Sequence, residues 1–429
     1  MLAFVVSICR SSEAQEKPLQ KDKGQKQAAV AERIPIRMWI AVGGSMGAAL
    51  QASVDRFNLS QQEIRVEASQ HNGYGATIKE FQSAFADGDP PEIAMIEIRS
   101  VALLASRGEI VSLEPLIKQE QAFDRDDFLE PMLKNLSWKN ELYAMPLNRS
   151  TPVLYFNKSR FREAGLDPDA PPRTWKEFRD AARLMTRKGT EKYGFSALPS
   201  PWLFESLVLG AGGELMNKDY SKVEFVKTGS AVLQTWGDMI HQDKSARLGT
   251  SIGDFISGEA AMIIESTALI SACESSIRDF EFGTAFMPYD PGHKPSVATG
   301  GGAAVIAAKL PLEKQQAAWR FLTWASSTDQ TAALSLSSGY VPVRKSAVFH
   351  LTREGFYKQF PHYRVAVDQM LIAHESPAVP VWSHSYGPIS KATKEVLGNN
   401  VPAADALAEA ATEIERLMQQ PESLIQKAK

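Results

Sequence analysis

At 429 residues the chain is longer than one hydrophobic core usually supports, so two or three domain-sized bodies are expected. A hydrophobic share of 44% and a charged share of 23% are those of an ordinary globular protein. A net charge of −3 supplies no basic surplus for nucleic acid or for an anionic membrane, and neither partner is expected.

The short apolar run from Leu2 to Ile8 is too short to span a bilayer, and Ser12-Glu13-Ala14 offers small residues where a signal peptidase would cut. A secretory leader is the expectation, with a periplasmic or extracellular destination. Cys9 is the alternative, a lipid-attachment cysteine, although Ile8 before it is larger than such processing favours. The charge-rich run Glu16 to Lys26 reads as a solvated linker, so leader and linker together take residues 1–33. Without the leader one thiol remains, Cys273, and no intrachain disulfide can form.

Arg37 to Val42 reads as a strand. Ser45 then stands at the N-cap of a helix with Met46, Leu50, Val54 and Phe57 at helical spacing. Ile64, Val66 and Ala68 alternate as a second strand. A polar turn through Asn72, Gly73 and Tyr74 opens a helix with Ile78, Phe81 and Phe85 on one face, and Ile93 to Ile98 is a third strand. This β-α-β-α-β order predicts an α/β fold with a mostly parallel sheet. Ligands of such sheets sit beyond the carboxyl ends of the strands, which brings Gly43 to Ser45, Tyr74 and Glu97 to one edge.

Ala144 to Lys158 begins and ends like a strand but carries Pro146 and Pro152 around the polar run Asn148-Arg149-Ser150-Thr151. Proline cannot donate to a strand ladder, so the middle is expected to leave the sheet, expose its polar residues and cross between two bodies. The competing reading is a surface loop joining two strands of one domain. Beyond it, Thr174-Trp175-Lys176-Glu177 is a capping box opening a helix with Phe178, Ala182 and Met185. Trp202 to Leu209, Thr228 to Ile240, Asp254 to Gly258 and Ala260 to Ile264 continue a second α/β body. Val297 to Ala307 is a strand interrupted by Gly300-Gly301-Gly302, where missing side chains let something approach the backbone. Leu312 to Ala325 is a helix, and Gly339-Tyr340-Val341-Pro342-Val343 a turn into an extended piece. The helical region after Val365 breaks at Pro377 to Pro388, around Trp382, His384 and Tyr386.

Gly43-Gly44-Ser45-Met46-Gly47 fits G-x-S-x-G, the nucleophile elbow of α/β-hydrolases, with Glu97 as a candidate acid-base partner. The motif sits on the first strand, with no further strand upstream to supply an oxyanion hole. A plain helix N-cap, or an N-terminus whose free amides meet a ligand oxygen, are the other readings of Ser45. The seven histidines show no H-x-x-x-H pair and the cysteines no cluster, so neither metal nor cofactor is expected. Trp39, Tyr74, Trp202, Tyr340 and Trp382 recur at element ends, where aromatic faces suit sugars and polyols.

The segment Pro146 to Lys158, continued by Ala164-Gly165-Leu166 and Pro172-Arg173-Thr174-Trp175, resembles the extracellular solute-binding proteins of ABC importers. Asp254-Phe255, Gly258-Glu259-Ala260-Ala261-Met262, Met287-Pro288-Tyr289-Asp290, Gly300-Gly301 and Gly339-Tyr340-Val341-Pro342 extend the resemblance, which is nearest to the branch that takes glycerol-3-phosphate. It implies two α/β lobes closing on a hinge over a small-molecule ligand, no enzymatic activity, a membrane permease as partner, and a monomer. Lobe 1 would hold residues 34–148 and a return of the chain near 300–345. Lobe 2 would hold 149–299 and part of 346–429. The matched contacts are Tyr74, Glu97, Ser150, Trp202, Ser266 or Thr267, Gly301 and Tyr340, and Gly300, Trp382 and His384 stand beside them. Members that bind glycerol-3-phosphate carry an arginine within the stretch matching Val381 to Gly387, and this chain has none there. The bidentate phosphate grip is missing, with Arg149 or Arg99 as the candidate substitutes. A polyol phosphate, a glycerophosphodiester or a related carbohydrate is the implied ligand class.

Overall fold

The computed structural model describes residues 32–120 and 123–419. The leader, Cys9 and the charge-rich run lie outside the described residues.

Two five-stranded sheets, each covered by helices, form two lobes. In the first, β2 (Ile64–Gln70) and β3 (Ile93–Glu97) arise where expected, while β1 (Ile34–Ile40) starts three residues before Arg37 and stops two before Val42; helices α1 (Gly44–Ser60) and α2 (Tyr74–Ala86) join them. β1 pairs in parallel with both β2 and β3. Met46, Leu50, Val54 and Phe57 all turn inward, and so does Phe81. Two strands from later in the chain complete this sheet: β4 (Ala144–Ser150) at its edge, and β10 (Gly300–Ile306) between β3 and β4 and antiparallel to both. The sheet is therefore mostly parallel, as expected, with β10 alone running against the other four strands.

The second sheet runs β9-β5-β8-β6-β7, from β5 (Pro152–Asn157), β6 (Tyr193–Ala197), β7 (Ala246–Leu248), β8 (Ala260–Ser266) and β9 (Phe282–Ala285). Its helices include α3 (Trp175–Met185), α4 (Pro201–Gly210) and α5 (Val226–His241). The capping box forms as expected, with Glu177 N–H donating to Thr174 Oγ1 at 3.2 Å and Thr174 N–H donating to the Glu177 carboxylate at 3.1 Å. The C-terminal helices α6 (Tyr386–Asn399) and α7 (Ala403–Met418) pack on each other and on α5.

The proline-bounded segment crosses from one sheet to the other at a single residue, Thr151, but it stays in strands while doing so. Its polar residues are not exposed as expected: Asn148, Arg149, Ser150 and Thr151 are all buried. Both prolines occupy the places a sheet tolerates. Pro146 lies on the edge strand β4 at a register shift against Gly302/Ala303, and Pro152 is the first residue of β5. The glycine-rich strand also differs from expectation. Val297–Ala298 pairs with Ala373–His374, the break falls at Thr299, and Gly300 to Gly302 lie inside β10. Near the start of α1 the cap is Gly43, one residue before the helix, so Ser45 is not the N-cap.

Asp243 ties α3 to the loop after α5. Arg179 grips it with Nε at 2.6 Å and Nη2 at 3.0 Å, and Arg183 Nη2 adds a bond at 2.7 Å. These charge-assisted bonds hold its carboxyl down at about 2, against an ordinary value of 3.8. A depressed carboxylate stabilises the fold above its unfolded pKa and loses that contribution as pH falls through the folded value. Chemical denaturation between pH 6 and pH 2 should therefore show Asp243→Asn less stable than wild type by about 1–2 kcal/mol at neutral pH, the two converging near pH 2. A constant gap down to pH 2 would show that the carboxylate charge is not the source.

Candidate ligand site between the lobes

The carboxyl ends of β3, β4 and β8 converge on one cleft between the two sheets, a cavity of about 270 Å³. Lobe 1 supplies Tyr74, the first residue of α2, and Glu97, the last of β3. Ser150 and Ser266 close β4 and β8, and Gly300 and Gly301 open β10. Trp202 stands at the start of α4, and Tyr340 follows the left-handed Gly339 that ends the preceding helix.

Each wall is held from behind. Asn148 Nδ2 donates to the Tyr74 hydroxyl at 2.8 Å, while its Oδ1 accepts from Gly302 N–H at 3.2 Å. The Trp202 indole N–H donates to the Thr299 carbonyl at 3.2 Å. A Cβ on Gly300 would stand 2.7 Å from that indole, and one on Gly302 2.7 Å from the Tyr74 ring, so bare backbone is what lets both rings approach β10 this closely. Burial raises the pKa of the Tyr74 and Tyr340 hydroxyls, which stay neutral and able to donate.

The charged groups of the cleft are Glu97 and Arg99. Arg99 sits in the 3₁₀ turn Ile98–Ser100 that Glu97 caps. Its Nε donates to Glu97 Oε1 at 2.8 Å and its Nη1 to Glu205 Oε1 of α4 at 3.0 Å, a buried ion pair across the lobes. The guanidinium carbon lies 3.6 Å from the centroid of the Tyr386 ring, a cation–π stack at the opening of α6. Burial raises the pKa of Glu97, opposed by Arg99 beside it.

Of the residues singled out from sequence, Tyr74, Glu97, Ser150, Trp202, Ser266, Gly300, Gly301 and Tyr340 line this cleft. Thr267 lies buried one residue behind Ser266, its N–H donating to the Thr151 carbonyl at 2.9 Å. Arg149 is fully buried behind the wall. Nη2 donates to Asn135 Oδ1 at 3.1 Å, its Nε and Nη1 have no partner, and burial lowers its pKa to about 10. Trp382 is also buried, its indole N–H donating to Glu205 Oε1 at 3.1 Å. His384 holds Ser383 Oγ at 2.9 Å outside the lining. Ser45 is exposed on the second residue of α1 and no histidine or carboxylate among the described residues bonds to it. The sequence carried no signal for Ser200, which caps α4, and Tyr386 stood out only as part of the break and not as a contact. The available signal for Tyr386 was an aromatic at the end of the same proline-bounded break that drew attention to Trp382 and His384.

An interlobe cleft with aromatic walls at the carboxyl ends of strands from two α/β sheets is the arrangement of a two-lobed solute-binding protein. The signature of bacterial extracellular solute-binding proteins matches residues 52–363, and the chain belongs to that family. It is the ligand-capturing subunit of an ABC importer, acting with a membrane permease. It is 28% identical over 356 residues to the sn-glycerol-3-phosphate-binding periplasmic protein UgpB of Escherichia coli, covering 78% of this chain and 80% of the relative. Among solved structures, UgpB of Mycobacterium tuberculosis in complex with glycerophosphocholine superposes with a TM-score of 0.84 at 25% identity, covering 90% of this chain and 99% of that one. The cyclic alpha-maltosyl-1,6-maltose binding protein of Arthrobacter globiformis shares the fold, with a TM-score of 0.78 at 24% identity over 91% and 100% of the two chains. No helix among the described residues is long and apolar enough to cross a membrane.

Proposed function

We propose that the protein binds a glycerophosphodiester, or a related small polyol or carbohydrate, between lobes built from residues 34–150 with 300–345 and from 152–299 with part of 346–429, the division falling at Thr151 rather than after residue 148, and releases it unchanged to its permease. Export by the N-terminal leader to the periplasm or cell exterior and action as a monomer belong to the same reading. The observation that carries it is the cleft's composition: four aromatic side chains around one guanidinium that two carboxylates already hold. Aromatic faces take C–H surfaces and quaternary ammonium groups. A cavity of about 270 Å³ lies at the low end for ligand pockets, which favours a small solute over a long oligosaccharide.

Arg99 is already held by two carboxylates, and Arg149, though its Nε and Nη1 are unpartnered, is fully buried away from the cleft, so a charge-assisted phosphate bond of about 1.5–3 kcal/mol is absent. Calorimetric titration should show glycerophosphocholine binding at least tenfold tighter than glycerol-3-phosphate. Equal or tighter binding of the monoester would overturn the charge argument. Mass spectrometry of each ligand after prolonged incubation should return it intact, and hydrolysis lost on Ser45→Ala would replace a carrier with a hydrolase.

Closure is expected to follow binding. The chain passes between the lobes at Thr151, again between β9 and β10, and a third time on its way from β10 to the helices α6 and α7 packed on α5, few enough crossings for a hinge. Small-angle scattering should give a smaller radius of gyration with saturating ligand, and identical curves with and without it would argue against a hinge.

A further inference from the structure

We infer that Glu205, a residue behind the cleft wall rather than in it, sets the charge selectivity of the site by holding Arg99 away from anionic ligands. The inference deepens the proposed function and rests on that reading for the identity of the site. Glu205 is fully buried on α4, yet none of its contacts is spent on its own helix. Its Oε1 accepts from Arg99 Nη1 at 3.0 Å and from the Trp382 indole N–H at 3.1 Å, and its Oε2 accepts from the Ser376 hydroxyl. Three elements distant in sequence thus converge on one carboxylate, and the group it restrains is the cation that reaches the cleft.

Arg99 is held on two edges and one face. Glu97 takes Nε, Glu205 takes Nη1, and Tyr386 lies beneath the plane. Two carboxylates hold that one guanidinium, and the other nearby cation, Arg149, is fully buried, bonds Asn135 through Nη2 and is attracted to Glu97 through the protein, so among the described residues the cleft presents no free cation to a ligand. An incoming phosphate dianion meets Glu97 in the wall and a guanidinium already neutralised, whereas a phosphodiester bearing a cationic group, or a neutral polyol, does not pay that repulsion. Glu205 therefore acts as a positioning residue whose charge decides how much of the Arg99 charge a ligand can feel.

Glu205→Gln keeps the shape and an amide oxygen for Arg99 and Trp382, and removes the charge. In thermal-shift titrations with inorganic phosphate, wild type should show no rise in midpoint and Glu205→Gln a saturable one, which a second change, Arg99→Gln, abolishes. In calorimetry, the ratio of glycerol-3-phosphate to glycerophosphocholine affinity should move at least fivefold toward the monoester in Glu205→Gln. A purely structural role would weaken both ligands alike and leave that ratio and the phosphate response at wild-type values, which would overturn the inference. Should Glu205→Gln not fold, Glu205→Asp, which keeps the charge but shortens the reach to Arg99, should give the same gain at smaller size, and a folded Glu205→Asp protein with no phosphate response refutes it. If wild type binds none of the organic ligands, the proposed function fails. The phosphate response of Glu205→Gln still decides the role of Glu205.

Discussion

Gly301→Ala is expected to destabilise the protein by about 3 kcal/mol or more and to abolish ligand binding in whatever fraction remains folded. Gly301 adopts φ +102°, a region that side chains rarely enter. A Cβ there would stand 2.0 Å from the Asn148 carbonyl oxygen and 3.2 Å from the Arg149 Cα. Both atoms belong to the backbone of β4, the strand paired with β10, so no side chain can swing aside and the two strands must part. Their separation would pull Asn148 off the Tyr74 hydroxyl and Ser150 out of the cleft. Denaturant unfolding followed by intrinsic fluorescence measures the first effect and calorimetry the second. A variant with the wild-type midpoint would show that β10 and β4 can slide without cost.

Trp202→Ala is expected to weaken ligand binding by about 2 kcal/mol or more, roughly thirtyfold, while changing stability by less than 1 kcal/mol. The indole is only half-buried, anchored by one hydrogen bond to the Thr299 carbonyl, and its face forms part of the cleft wall. Truncation removes a rigid apolar surface aimed at the ligand and leaves little of the core exposed. Gly300→Ala should give a smaller loss in the same direction, because its Cβ tilts the indole without removing it. Unaltered affinity in Trp202→Ala would take the ring out of the binding surface.

The gap between sequence and structure is widest where polar residues meet across long stretches of chain. Alternation in β2 and helical spacing in α1 and α2 were legible, because apolar periodicity reports which face of an element meets a core. The capping box at Thr174 and Glu177 was legible for a similar reason, since all its partners lie within three residues. The prolines around Thr151 mark a crossing whose polar residues are expected to be exposed toward the space between two bodies; Ser150 does line that cleft, but all four polar residues are buried. They are buried because the segment stays within strands of both sheets, paired with chain more than a hundred residues away, and no local pattern carries that information.

What the sequence by itself determined is the kind of protein: an α/β chain with two lobes, recognisable as a solute-binding protein from short motifs whose spacing survives. It also determined that the usual phosphate-gripping arginine is absent from Val381 to Gly387. Only the tertiary structure decided which residues take over the charge of the cleft. It removed Ser45 from the site and sealed Arg149 behind the wall. It brought Arg99 against Tyr386, 287 positions later, and against Glu205, 106 positions later. Electrostatic partners are chosen by distance in space and by the low dielectric around them, and neither is written in the spacing of residues along a chain.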